Sequence, residues 1–202
     1  MIVIIDYGLG NLLSVANALR AIEVDAIISH KEEDIIKADK LILPGVGAFS
    51  NGMRNLKSRG LIKILNNEVF ENKKPILGIC LGIQLFAEMS HERGIHEGLG
   101  WISNSSVDRI IPSDPSLKVP HVGWDVVKYK KNSLFEGLQM NPEFYFVHSF
   151  YVNCSEDIIT STFDYGGTFT ASIMKENIYG TQFHPEKSQK NGLKMLKNFS
   201  EL

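Results

Sequence analysis

Only two cysteines occur in these 202 residues, Cys80 and Cys154. Two thiols cannot build the disulfide framework of a small secreted domain, so a reducing, cytoplasmic setting is expected. Long apolar runs are missing too. No stretch reaches the roughly 20 residues that span a bilayer. The run Met1-Ile2-Val3-Ile4-Ile5 meets Asp6 too soon for a secretory leader. There is no excess of one charge: 21 Lys and Arg face 23 Asp and Glu, a net of −2. That removes the basic field which binding to nucleic acid or an anionic membrane would call for. No Pro/Ser-rich linker, repeat or low-complexity segment divides the chain. The 44% hydrophobic content suffices for a real core, and the length suits one domain over residues 1–202.

The hydrophobic pattern changes along the chain. Ile2 to Ile5 is a continuous β-branched run, as expected of a strand buried on both faces. Residues 11–21 follow with helical spacing, Leu12, Val15, Ala16 and Leu19 sharing one face. Further strands are expected at 25–29, 40–43 and 76–79, with a largely helical stretch over 56–70. This alternation predicts an α/β fold with a doubly wound, mostly parallel, flavodoxin-like sheet. Beyond Gly100 short strands prevail, at 126–129 and 144–147. A hairpin is expected from 168–174 and 178–183 around Lys175-Glu176-Asn177, and a closing helix over 189–199. The second half therefore reads as an antiparallel β extension.

Cys80 carries the chemistry. It lies in Gly78-Ile79-Cys80-Leu81-Gly82, directly after the apolar strand, and a helix is expected to run on through Gln84-Leu85-Phe86-Ala87-Glu88-Met89. Such a strand–turn–helix elbow raises a nucleophile at the carboxyl end of a sheet, and a helix N-terminus favours thiolate over thiol. A lone cysteine is more often a small buried hydrophobe, which is how Cys154 reads. A cysteine nucleophile also needs a base and a group to orient it. His184 is followed at the second position by a carboxylate, Glu186, and in an extended chain the two side chains point the same way. Pro44-Gly45-Val46-Gly47, past another strand end, suits an oxyanion-binding turn, although alone it is an ordinary tight turn. Gly8 and Gly10 suggest a dinucleotide loop, but Leu13 stands where the third glycine belongs. His30, His91, His96, His121, His148 and His184 show no zinc-site spacing with the cysteines. No cofactor and no metal are expected.

Gly78-Ile79-Cys80-Leu81-Gly82-Ile83-Gln84 and His184-Pro185-Glu186 together resemble the signature of the class I, or triad, glutamine amidotransferases. The resemblance covers essentially the whole length, through Asp6-Tyr7-Gly8-Leu9-Gly10-Asn11, Pro44-Gly45-Val46-Gly47-Ala48-Phe49, Gly98-Leu99-Gly100, Pro120-His121-Val122-Gly123-Trp124, Tyr145-Phe146-Val147-His148-Ser149-Phe150-Tyr151 and His184-Pro185-Glu186-Lys187-Ser188. Within that family the chain looks like the glutaminase subunits that serve imidazole glycerol phosphate synthase. The resemblance implies a triad of Cys80, His184 and Glu186, and oxyanion-binding backbone N–H groups at Val46 and Leu81. It implies contacts to the glutamine head group from Gly47, Gln84, Ser149 and Phe150. It also implies a heterodimer with a (β/α)8-barrel synthase subunit, which uses the ammonia in histidine biosynthesis, with Asn11, Trp124, Tyr145 and Lys187 at the junction and ammonia exit. Val122 and Asp125 depart from that branch's usual Met and Asn. Three alternatives stay open: a paralogue supplying ammonia for surface-sugar amidation, a free-standing thiol hydrolase, and a non-catalytic thiol sensor or binding module on the same fold.

Overall fold

The computed structural model describes residues 1–155 and 157–202. The first half alternates strands and helices: β1 (Ile2–Ile5), α1 (Leu12–Ala21), β2 (Ala26–Ser29), α2 (Glu32–Lys37), β3 (Lys40–Gly45), α3 (Phe49–Ser58), α4 (Leu61–Asn66), β4 (Ile76–Cys80) and α5 (Leu81–Leu85). The second half is mostly strand: β5 (Ala87–Ser90), β6 (His96–Glu97), β7 (Ile102–Arg109), β8 (His121–Val126), β9 (Lys128–Tyr129), β10 (Glu143–His148), β11 (Phe150–Asn153), β12 (Ile159–Asp164), β13 (Thr168–Lys175), β14 (Ile178–Thr181) and then α6 (Gln189–Ser200).

One eight-stranded sheet organises the molecule, in the order β2-β1-β3-β4-β14-β13-β12-β9. Its first five strands are parallel, and the last three continue it antiparallel. The expected hairpin is β13–β14, and its second strand lies parallel to β4, Gly180 opposite Gly78. Because strand side chains alternate, Val3, Ile5, Leu41 and Leu43 pack with Leu56, Leu61 and Leu65 on one face. Ile2, Ile4 and Ile42 pack with Val15, Leu19, Met195 and Phe199 on the other. Helices thus cover both faces, as the β-branched runs require. A two-stranded ribbon, β8–β10, and a four-stranded sheet, β11-β7-β5-β6, complete the extension.

Three elements differ from expectation. The helical stretch begins earlier, at Phe49, is interrupted at 59–60, and ends in a π-helical turn, Asn67–Glu71. The expected strand at 126–129 is split at buried Val127, where the chain passes from the ribbon to the edge of the large sheet. The helix after Cys80 stops at Leu85, and Ala87–Ser90 is strand instead, pairing with β6 and β7. Sheet pairing overrides the helical propensity of Leu, Ala, Glu and Met there.

The glycines around Cys80 serve close approach. A Cβ on Gly82 would lie 1.8 Å from the Leu43 carbonyl oxygen, and one on Gly78 would lie 2.6 Å from Phe86 and 2.7 Å from Gly82. Both obstacles involve backbone or a packed ring, which cannot swing aside. Gly82→Ala should therefore lower the urea or thermal unfolding midpoint, at a cost of ~1–3 kcal/mol or more. An unchanged midpoint would show that β3 and the elbow are not packed this tightly.

Candidate active site

The carboxyl ends of β1, β3, β4 and β14 lie on the same side of the sheet, the side on which open α/β sheets bind ligands. β4 ends in Cys80, which itself takes the unusual backbone, φ 54° and ψ −106°. A non-glycine residue held there costs on the order of 1–3 kcal/mol and persists where surrounding packing imposes it. The flanking glycines supply that packing, and the strained conformation falls on the cysteine. With only five residues in α5, the dipole argument for the thiolate loses most of its weight.

Past β14, Gln182-Phe183-His184 continues toward Cys80. His184 is buried and its backbone N–H donates to the Tyr145 carbonyl at 2.9 Å. Its Nδ1 lies 2.7 Å from Glu186 Oε1, and both side chains are 2% exposed. The pairing is as expected but the local geometry is not: Pro185–Lys187 forms a 3-10 turn, and the carboxylate folds back over it. Ser188 Oγ donates to the His184 carbonyl at 2.6 Å and accepts from Tyr145 N–H at 3.0 Å, fixing the turn. Burial opposes a charge on His184. The Cys80 sulfur and the Glu186 carboxylate outweigh it and push the imidazolium up to about 10. The ring thus holds a proton beside the sulfur. Its buried Nε2 has no hydrogen-bond partner in this state.

Cys80 opens onto a cavity of about 270 Å³ lined by Val46, Gly47, Leu81, Gln84, Glu92, Val147, His148, Ser149 and Phe150. All the residues expected at the oxyanion and the glutamine head group therefore face one space. Gly47 takes φ 108° with open space at its α-carbon, so the turn after β3 depends on glycine there. Gln84 Nε2 donates to the Phe150 carbonyl and to Gln182 Oε1, each at 3.0 Å. Gln182 Nε2 in turn reaches the Cys80 sulfur at 3.7 Å. Sequence reasoning missed Gln182. Its place two residues before His184 at the end of a strand was the available signal.

His148 was also missed. It lines the cavity, and its Nδ1–H donates to the Phe150 carbonyl at 2.7 Å. Its Nε2 lies 3.4 Å from His121 Nδ1, and His121 Nε2 lies 2.8 Å from Asp125 Oδ2. A chain of polar groups, buried at its two histidines, thus ties β8 to the cavity wall.

Trp124 and Tyr145 are opposite each other on β8 and β10, ring centroids 6.0 Å apart, with the Lys187 ammonium 5.6 Å from the Tyr145 ring. Trp124 and Val122 are exposed. Asn11 is exposed at the start of α1, which packs beside the turn carrying Lys187. Cys154 is different from Cys80: burial, then the nearby Asp157 carboxylate, push its thiol up to about 11, so it stays protonated. A larger cavity of about 490 Å³ beside Lys128, Tyr129 and Met140 is lined, among the described residues, by no cysteine, serine or histidine. Among the described residues, no three His, Cys, Asp or Glu side chains are grouped to hold a metal ion, and no helix is long and apolar enough to cross a membrane.

Burial, which outweighs the pull of the Phe150 carbonyl, lowers the His148 imidazolium from 6.5 to about 3, with His121 and His184 adding to the effect. The folded state takes up this proton less readily than the unfolded chain. The stability His148 contributes is therefore complete above 6.5 and lost as pH falls toward about 3. Proton NMR should show the His148 ring staying neutral from about pH 8 to about pH 5. An inflexion near 6.5 would contradict the burial argument.

The family model for class-I glutamine amidotransferases matches residues 3–201. Imidazole glycerol phosphate synthase subunit HisH 1 of Campylobacter jejuni is 49% identical over 203 residues, covering 100% of both chains. Subunit HisH 2 of Methanococcus maripaludis is 50% identical over 201 residues, covering 98% of each. A crystal structure of a glutamine amidotransferase shares the fold at a TM-score of 0.76 and 17% identity, over 98% of this chain and 97% of that one. A full-length family match and relatives at half identity agree with an elbow cysteine beside a buried His–Glu pair, and this chain belongs to the class-I glutamine amidotransferases.

Proposed function

We propose that the chain is the glutaminase subunit of an imidazole glycerol phosphate synthase, acting in the cytoplasm as one amidotransferase unit over its whole length. Full-length relatives at 49–50% identity carry that subunit's name. The observation that carries the chemistry is the 2.7 Å His184–Glu186 pair, buried behind a cysteine held at φ 54°.

In this reading the Cys80 thiolate attacks the side-chain amide carbon of glutamine. The carbonyl oxygen becomes an oxyanion, held by backbone N–H groups of Val46 and Leu81. His184 donates its proton to the departing amine, and ammonia leaves a glutamyl thioester. Neutral His184 then takes a proton from water, hydroxide attacks the thioester, the C–S bond breaks, glutamate is released and the Cys80 thiolate is regenerated. Glu186 orients the imidazole and stabilises its charged form. Gly47, Gln84, Ser149 and Phe150 hold the glutamine head group, and Gln84 is pre-set for this by its bonds to Phe150 and Gln182. Ammonia passes to a (β/α)8-barrel synthase subunit that docks on Trp124, Tyr145, Lys187 and Asn11. The exposed indole supports a docking role, as aromatic residues are enriched at interfaces. The pocket calls for no cofactor in this chemistry.

Control sits in the turn after β3. The peptide between Gly45 and Val46 turns to aim Val46 N–H at the oxyanion when the partner is engaged. Loss of one such donor costs about 10²–10³ in rate.

Steady-state assays of the free chain and of the complex with its ribotide substrate test both parts. The free chain should hydrolyse glutamine slowly, and the occupied complex ~10²–10³ faster. Cys80→Ala should abolish hydrolysis while ammonia-driven synthesis by the complex persists. A free chain as fast as the complex would favour a free-standing hydrolase, and residual hydrolysis in Cys80→Ala would remove the nucleophile assignment.

A further inference from the structure

Among the described residues, three buried side-chain polar atoms have no hydrogen-bond partner: His184 Nε2, Glu186 Oε2 and Tyr7 Oη. The first two belong to the catalytic pair proposed above. The third has no part in the mechanism as described. Tyr7 follows β1, at the same sheet end as Cys80, and its ring is fully buried. An unpaired buried hydroxyl lowers stability relative to the same ring without it, so phenylalanine would serve packing better. An orphan polar group in a native fold calls for an explanation, and a catalytic role is one of them.

The surroundings of this hydroxyl identify its partner. A Cβ built on Gly45 would fall 2.2 Å from Tyr7 Oη, so the hydroxyl lies against the Gly45 α-carbon, in the space a side chain would take. Gly45 ends β3, is in register with Cys80, and contributes the carbonyl of the peptide whose N–H belongs to Val46. The N–H and C=O of one peptide point in opposite directions. Turning Val46 N–H toward the oxyanion therefore turns the Gly45 carbonyl away from the substrate cavity, and a carbonyl turned into protein needs a donor. Burial, and then the charge of Cys80, raise the phenol's ionisation well above its usual value, so the hydroxyl stays a neutral O–H donor.

We propose that Tyr7 is a positioning residue for glutamine hydrolysis, its idle hydroxyl donating to the Gly45 carbonyl when the Gly45–Val46 peptide turns into its oxyanion-binding orientation. It is unpaired in the resting fold and paired in the working one. It makes the turned peptide accessible without touching glutamine.

This inference rests on the amidotransferase reading, and the test separates the two. Tyr7→Phe and wild type are compared as the full chain in complex with the barrel subunit and ribotide substrate. Wild type without glutaminase activity would fail the underlying reading before Tyr7 is at issue. With wild type active, Tyr7→Phe should lower kcat about ten- to hundredfold, the range expected for one such hydrogen bond, and leave KM for glutamine within about twofold. Its unfolding midpoint should equal or exceed that of wild type, because an orphan hydroxyl has been removed. The pH profile of Cys80 alkylation by iodoacetamide should not move. An unchanged kcat, a change confined to KM, or a lowered midpoint would overturn the proposal. A displaced alkylation profile would overturn it as well, by placing the hydroxyl on the sulfur instead of the turn.

Discussion

Everything at the site depends on the contact between Gly82 and the carbonyl of Leu43. There is no room for even one carbon between them, so the elbow after β4 is pressed onto the end of β3. That pressure holds Cys80 at φ 54°, a conformation a non-glycine residue adopts only under constraint. It also brings the sulfur level with Gly45 in the β3–β4 register. Cys80 and the turn proposed to bind the oxyanion are thereby set by one piece of backbone packing. The sheet supplies the rest by ending β14 beside β4, so that the chain beyond Thr181 must pass Cys80 with Gln182 and His184.

Electrostatics then decides what the juxtaposed groups do. His184 and Glu186 are excluded from water, where an isolated charge is costly and a paired one is strongly held. Burial alone would strip the proton from His184, yet sulfur and carboxylate on either side keep it there. His148, equally buried but facing a carbonyl and two histidines, goes the other way and stays neutral. Two buried imidazoles thus take opposite charge states, and in the proposed reaction the protonated one is the donor to the leaving amine.

Much of this was legible in the amino-acid order. The β-branched run at Ile2 to Ile5, the strand into Cys80 and the 168–183 hairpin carry local signals strong enough to survive folding. His184 and Glu186 are close in sequence, so their pairing needed little tertiary knowledge, although a 3-10 turn brings it about. What escaped was set by distant contacts. Ala87–Ser90 has helix-forming residues and becomes strand because β6 and β7 claim its hydrogen bonds. Gln182, His148 and Tyr7 look like ordinary strand or loop residues until the sheet order gathers them at the sheet end that carries Cys80. At the elbow Cys80 takes the unusual dihedral and the glycines yield the space, a division that depends on the packing of β3 and Phe86 against it.

The central claim is that the fold makes one of the two thiols a nucleophile and leaves the other inert. Mass spectrometry after reaction with a chloroketone analogue of glutamine tests this most directly. The sulfur that attacks displaces chloride and keeps the adduct. The account predicts a single adduct on the peptide containing Cys80, suppressed by excess glutamine, and none on Cys154, whose thiol is held protonated by burial. Labelling of Cys154, or of Cys80 without protection by glutamine, would contradict it.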